Sequence, residues 1–389
     1  MKELSGNVLI LQMGKASAVT NVLLGALIRK ALNYDCVEEI YGCLGGLQNL
    51  LSGQFIDLAE QHQKNISNLA GTPGAALKAI ICDKIEMDKL MEILKKYGIR
   101  FLFVIGDSSA VSQCAEFDGF IKKSDYEMRF VLIPTSANNV TQLTDHCLGY
   151  GSAAKHLAVM AKSVIVNVQS EQSAGAITIL ELKGCSNEWL ISATALMRGK
   201  KDGNSAPHLL ILSKFDEGTF VKNVHKSVKT IGHCVIVIGD KLVNLKGEDL
   251  TVQHRAAEHI ELIARANFDV QVDLITLNDW ALTSCMTLSG TDIMESELCA
   301  QKALEFAVAS GISGKMITLL RADENKYSSE VNCVDFENIS TNGKEFPESW
   351  YDYETMSLDA AFFRYAAPLI GGEMRCAYEN GLPIFAQLG

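Results

Sequence analysis

No two cysteines in this chain stand in a C-x-x-C pair, although there are 11 Cys among its 389 residues. An odd number of singly scattered thiols excludes a disulfide framework and argues against zinc. It reads instead as reduced cysteines in a cytoplasmic protein. No apolar stretch approaches the ~18 residues that cross a bilayer. The start, Met1-Lys2-Glu3-Leu4-Ser5-Gly6, runs straight into a first strand and lacks a small-residue cleavage site. Basic blocks never exceed two residues, and 35 Lys and Arg face 46 Asp and Glu, a net charge of −11. With a pI near 5.3, neither nucleic acid nor an anionic membrane is expected as partner. An anionic small substrate stays open, because a local cleft can be positive inside a negative protein. Internal repeats and low-complexity segments are absent as well.

What is there is an ordered globular chain: 48% hydrophobic and 21% charged, with a mean hydropathy of +0.12. Its length suits two domains or one large α/β unit. Val8-Leu9-Ile10-Leu11, Phe101-Leu102-Phe103-Val104-Ile105, Phe130-Val131-Leu132-Ile133, Leu209-Leu210-Ile211-Leu212 and Cys234-Val235-Ile236-Val237-Ile238 are fully apolar. Such runs fit strands buried on both faces of a parallel sheet. Between them lie helical patterns: Met87, Leu90, Met91 and Leu94 fall on one face, with Gly98 as a stop, and Phe220 to Lys229 ends before Gly232. The rhythm is that of a doubly wound α/β fold, with ligands outside the carboxyl ends of the strands. Glu258 to Phe306 reads as mostly helical, broken and capped at Gly290-Thr291-Asp292, and from Arg321 the chain turns polar, as loops and short strands.

The common phosphate signatures, G-x-x-x-x-G-K-[ST] and G-x-G-x-x-G, are missing. Gly106-Asp107-Ser108 follows a strand and could present a nucleophilic serine, but such a serine needs a histidine base. No Asp stands three residues before any of the eight His, and the last is His259. A helix N-terminus capped by Ser is the simpler reading. His254 and His259, five apart, do not share a helix face for a metal. His146 and His156 read as ordinary polar residues at a cleft rim and on a helix face.

The specific signal is Pro134-Thr135-Ser136-Ala137-Asn138-Asn139-Val140, followed by Thr144-Asp145-His146-Cys147-Leu148-Gly149-Tyr150-Gly151-Ser152-Ala153-Ala154-Lys155. This resembles the centre of the phosphofructokinase family, written P-K-T-[IV]-D-N-D and T-D-x-x-P-G-[FY]-G-[ST]-A. Asn7 to Asn21 resembles that family's first strand and phosphate turn, and Thr72-Pro73-Gly74 its T-P-G. Tyr365 to Ile370 and Glu379 to Ala386 resemble the C-terminus of the pyrophosphate-dependent branch. The resemblance spans nearly the whole chain. It implies a phosphofructokinase-like α/β fold: two similar parallel-sheet domains with a cleft between them, both discontinuous. The expected boundaries are 1–134 plus 255–310 for the first and 135–254 plus 311–389 for the second.

The same resemblance implies that the chemistry has been lost. The family's general base, the first Asp of D-N-D, is Asn138, an amide that cannot take the sugar hydroxyl's proton. The second Asp, implicated in pyrophosphate preference, is Val140, and the phosphate-holding Lys is Thr135. The metal-binding Asp aligns with Ser108, one residue from Asp107. The Gly-Gly phosphate turn reads Gly14-Lys15, the sugar-phosphate M-G-R reads Lys183-Gly184-Cys185, and a Pro-Glu reads Ser213-Lys214. Positions of phosphate-contacting Arg or His hold Ile81, Leu282, Cys285 and Met286. Phosphoryl transfer rests on positioning and charge neutralisation, so such losses compound.

Candidate ligand-binding residues are therefore Gly14, Lys15, Asp107, Ser108, Gly184 and Asp145. Lys15 reads either as a new phosphate ligand or as a solvated lysine. Asp145 either takes part in chemistry, or Thr144-Asp145 caps the Tyr150 helix region or buttresses the loop. Mg²⁺ enters as cofactor only if activity survives, with Asp107 as its ligand. Three functions stay open: a catalytically inactive regulatory or structural subunit, residual phosphoryl transfer from pyrophosphate to fructose 6-phosphate, and a sensor of a less polar metabolite. The first implies an oligomer, either of this chain alone or with an active phosphofructokinase.

Overall fold

The structure is a computed structural model that describes residues 4–80, 85–170, 176–184, 187–197, 207–278, 282–323, 326–339 and 342–389. The chain divides into two compact units, each interrupted in sequence. The first comprises Met1–Ser152, Thr283–Lys344 and Gly371–Gly389; the second comprises Ala153–Leu282 and Glu345–Ile370. These bounds differ from those expected from the sequence. Residues 135–152 stay with the first unit and 255–282 belong to the second. The polar region after 310 returns mostly to the first unit, because Lys315–Asp323 adds a strand to its sheet.

That sheet has seven strands. From edge to edge they are Ser328–Asp335, Lys315–Asp323, Arg129–Pro134, Ile99–Gly106, Gly6–Met13, Val37–Cys43 and Phe55–Asp57. The five inner strands are parallel and the two edge strands antiparallel. Continuous apolar runs are needed here because both faces are covered. Val8, Ile10, Phe101, Phe103, Val131 and Ile133 pack on one side with the Thr20–Ala31 and Gly290–Leu304 helices. Leu9, Leu11, Leu102, Val104, Phe130 and Leu132 pack on the other with Met87–Lys96 and Ser108–Ile121.

The second unit has a four-stranded parallel sheet in the order Val272–Asn278, Ile177–Lys183, Cys234–Ile238 and Leu209–Ile211. All five apolar runs thus lie in strands. The helix after Met87 passes Tyr97 into Gly98 at φ 60, and the Glu217–Ile231 helix stops at Gly232 with φ 92. Both stops use a left-handed backbone that glycine adopts without a Cβ clash.

One expectation is corrected. The span 258–306 is not simply a broken helix, since Val272–Asn278 is a strand between Ala256–Asn267 and Gly290–Leu304. Asp273, Thr276 and Asn278 interrupt its apolar residues, so it lacks the continuous run of the inner strands.

Phe130 is fully buried, with ring centroids 5.4 Å from Phe117 and 5.6 Å from Phe336. Phe130→Ala should lower stability by about 3–5 kcal/mol, as large core truncations do. Urea unfolding followed by circular dichroism checks this; a loss below about 1 kcal/mol would mean the ring is not the packing centre described.

Candidate functional site

In the first unit the strand order reverses at Gly6–Met13: the chain builds Val37–Cys43 on one side of it and Ile99–Gly106 on the other. Such a switch point opens a crevice beyond the strands' carboxyl ends, where ligands bind in open α/β sheets. Here the two strand ends align Met13 with Gly106, and the next residues are Gly14-Lys15 and Asp107-Ser108. Four of the candidate residues therefore meet at one place.

What occupies that place is the Asp107 side chain. Asp107, not the serine expected from the sequence, is the N-cap of Ser108–Ile121, and its Oδ1 accepts hydrogen bonds from the Ser109 backbone N–H at 2.9 Å and the Ser109 hydroxyl at 2.5 Å. Its Oδ2 accepts the Lys15 backbone N–H at 3.0 Å. Gly14 turns with φ +73, and a Cβ built on it would lie 2.1 Å from Asp107 Oδ1. The carboxylate is thus pressed against the turn after the first strand while it neutralises the positive end of the helix. A phosphate entering here would meet a like charge and compete for donors already used. The Lys15 and Ser108 side chains are exposed.

The neighbouring strand end turns the other way. The Thr135 N–H donates to the Gly106 carbonyl at 2.7 Å and that of Ser136 to Leu148 at 2.9 Å, with Thr135 itself buried. Thr135 is consequently packed inside instead of reaching into the crevice as a lysine would. Asn138 donates its backbone N–H to Ser136 Oγ at 3.1 Å and is half-buried. Asn139, at φ 54, is fully buried and accepts the Cys147 N–H at 2.9 Å. Val140 follows, its carbonyl held by the Lys344 N–H at 2.7 Å.

Asp145 acts as a buttress. It forms a double hydrogen-bonded ion pair with Arg321, at 3.2 and 3.1 Å, and approaches His146 Nδ1 at 3.0 Å. His146 is buried, not at a rim as its sequence position suggests. Its Nε2 lies 2.7 Å from Glu295, which also accepts the Tyr327 hydroxyl at 2.5 Å. Burial disfavours the charged imidazolium, but the two carboxylates outweigh it and raise the His146 pKa from 6.5 to about 9. Burial likewise opposes ionisation of Asp145, yet His146 and Arg321 hold its pKa down to about 2. With both ring nitrogens engaged and the ring cationic at neutral pH, His146 cannot serve as a general base. The cap of the Tyr150 helix is not Asp145 but Asp292, which accepts the Gly149 and Ser152 N–H groups at 2.8 Å each. Sequence reasoning missed Arg321, Glu295, Tyr327 and Lys344, and it took Asp292 for a cap of its own helix.

The remaining candidates fall mostly in the second unit. Gly184, exposed at φ +82, follows the Ile177–Lys183 strand of the second unit. Ser213 donates to Glu188 at 2.5 Å, and Lys214 pairs with Glu348 at 2.7 Å. Leu282 and Cys285 are buried, whereas Met286 is half exposed. Ile81 and Cys185 lie outside the described residues. A resident Mg²⁺ finds a poor ligand set in the crevice: among the described residues Asp107 is the only carboxylate at this turn and already accepts from three protein donors, while Ser108 offers a neutral hydroxyl. Among the described residues, no helix is long and apolar enough to cross a membrane.

The comparisons with known proteins agree with this architecture. The family model described as phosphofructokinase matches residues 7–306. A pyrophosphate--fructose 6-phosphate 1-phosphotransferase of Halomonas elongata is 26% identical over 404 residues, covering 98% of this chain and 96% of that protein. A protein of the same name from Xanthomonas campestris is 25% identical, covering 99% and 96%. The solved pyrophosphate-dependent phosphofructokinase of Nitrosospira multiformis has the same fold, with a TM-score of 0.89 at 23% identity, covering 98% of this chain and 96% of that one.

A group whose pKa is raised on folding stabilises the protein below its unfolded value and loses that contribution as pH rises through its folded value. His146 should therefore contribute fully below about pH 6.5, and its contribution should disappear as pH passes about 9. The urea midpoint is expected to fall across this window, and His146→Gln should be less stable at pH 6 with a flatter profile. Equal midpoints at the two ends of the window would contradict the charged assignment. Separately, Asp107→Ala should cost about 1 kcal/mol of stability through the lost cap, measured by the same titration at pH 7.

Proposed function

The chain belongs to the phosphofructokinase family, and from that premise we propose that it is a catalytically inactive member, retained as a regulatory or structural subunit. The reaction named for its curated relatives is transfer of phosphate from pyrophosphate to fructose 6-phosphate. The observation that carries the proposal is the Asp107 carboxylate, which fills the turn at Gly14-Lys15 and caps the adjoining helix. On this reading the carboxylate puts negative charge at the turn where phosphoryl transfer would call for positive donors. Asn138 compounds the loss, because a missing general base alone removes about 10²–10⁴ in rate.

The polar residues near this crevice are well bonded: Asp292 caps the Tyr150 helix, and Thr144 Oγ1 accepts the Leu319 N–H at 3.0 Å. A fold maintained while its polar ligands are spent internally suits a protein kept for its surfaces. The partner implied is a catalytically active chain of the same family.

The test is a coupled assay with Mg²⁺ and fructose 6-phosphate, pyrophosphate or ATP as donor, on the unmodified protein and on Asn138→Asp. No turnover above background is expected from either, since restoring the base leaves Asp107 and Ser108 unchanged. Turnover by the unmodified protein would overturn the inactive reading. Purification from the native cell should recover an active phosphofructokinase with this chain; recovery of a lone monomer would remove the subunit role.

A further inference from the structure

Cys285 and Cys376 are 91 positions apart in the chain and neighbours within the first unit. The Cys376 Sγ lies 3.5 Å from the Cys285 carbonyl oxygen, and both residues pack on the apolar cluster that includes Leu24, Leu27 and Ile28. They reach it from separate elements. Cys285 opens the short turn Cys285–Thr287 ahead of the Gly290–Leu304 helix, and Cys376 belongs to the segment Gly371–Gly389. Gly71 limits the room on the other side: a Cβ there would lie 3.4 Å from the Cys376 sulfur. Bridged cysteines have Cα atoms about 4.4–6.8 Å apart, so a sulfur that already touches its neighbour's backbone needs little movement to meet the neighbouring sulfur.

The two thiols differ in access. Cys285 is 2% exposed, whereas Cys376 is half-buried. Burial, and after it the adjacent Cys376 thiol, push the Cys285 pKa up to about 11, so Cys285 stays protonated at neutral pH. An attacking thiol must be reachable and a resolving thiol need only be close. We propose that Cys285 and Cys376 are a reversible redox pair, in which Cys376 reacts first with a small-molecule disulfide and Cys285 closes the intramolecular bond. The Cys376 thiolate attacks one sulfur of the small disulfide, forming a mixed disulfide and expelling one thiolate, which takes up the proton Cys376 gave up. Cys285 then loses its proton, attacks the Cys376 sulfur and expels the second small thiol, which leaves protonated. Two protein thiols are oxidised and one small disulfide is reduced to two thiols.

The bond would pin a segment with few other ties. Ser289 Oγ donates to the Gly371 carbonyl at 3.0 Å at its start, and the Ala386 N–H donates to Thr72 Oγ1 at 2.7 Å near its end. Between these, Met374 and Cys376 reach the apolar cluster, while Tyr378, Leu382 and Phe385 are exposed. Segments of this kind open locally at low cost, and a cross-link at Cys376 removes that freedom. The inference stands apart from the inactive reading, since it involves no turnover.

The test incubates the full-length protein with glutathione disulfide, blocks remaining thiols with N-ethylmaleimide and maps the peptides by mass spectrometry. The unmodified protein should yield a linked peptide pair carrying Cys285 and Cys376, with no glutathione kept on Cys376, and dithiothreitol should reverse the link. Cys285→Ala, an apolar replacement for a buried thiol, should keep glutathione on Cys376. In Cys376→Ser, at a half-buried position, Cys285 should stay unmodified. Tryptic cleavage after the exposed Arg375 should be about fivefold slower in the oxidised protein. The proposal fails if the unmodified protein forms no such link, if Cys376 retains glutathione there, or if Cys285 reacts without Cys376. Equal cleavage rates in the reduced and oxidised proteins would refute the pinning of the segment.

Discussion

The carboxylate of Asp107 joins two elements that an anion-binding site would need to leave apart. It accepts from the helix N-terminus through Ser109 and from the turn after the first strand through Lys15. Strand ends and helix N-termini at a topological switch point offer unpaired N–H groups and a positive field, which is why phosphates settle there. In this chain the protein supplies the negative charge itself. The turn stays short because Gly14 has no Cβ to collide with the Asp107 oxygen.

The same inward use of polar groups recurs nearby. Asp145, Arg321, His146, Glu295 and Tyr327 form one connected network, and Arg321 also lies 4.7 Å above the Tyr327 ring. The cation of Arg321 and the imidazolium of His146 offset Asp145 and Glu295, so the buried charges are mutually compensated. Lys344 donates its ammonium to the carbonyls of Thr144 and Asp145, and burial lowers its pKa. These interactions fix the loop from Asn138 to Gly149 without presenting a reactive group to solvent.

How much of this could be read in advance depends on how local each cause is. The inner strands were legible because a sheet covered on both faces demands unbroken apolar runs, and Phe101 to Ile105 supplies one. Val272–Asn278 was not, because polar residues interrupt it. Domain limits were only coarsely legible: that Lys315–Asp323 pairs with Arg129–Pro134 is a long-range fact with no sequence signature. Asn138, Thr135 and Val140 stood out by departing from a family pattern. Asp107 drew notice as a metal ligand, but only its side-chain direction reveals that it caps its own helix. His146 read as an ordinary rim residue because Glu295, about 150 positions away, is what buries and charges it.

The account depends on the switch-point crevice being filled by the protein's own charge. Its most direct test is calorimetric titration of the unmodified protein with pyrophosphate in the presence of Mg²⁺ at pH 7. The account predicts no saturable heat at millimolar pyrophosphate. Saturable binding at micromolar pyrophosphate, weakened by Lys15→Ala, would contradict it and make the crevice a working phosphate site.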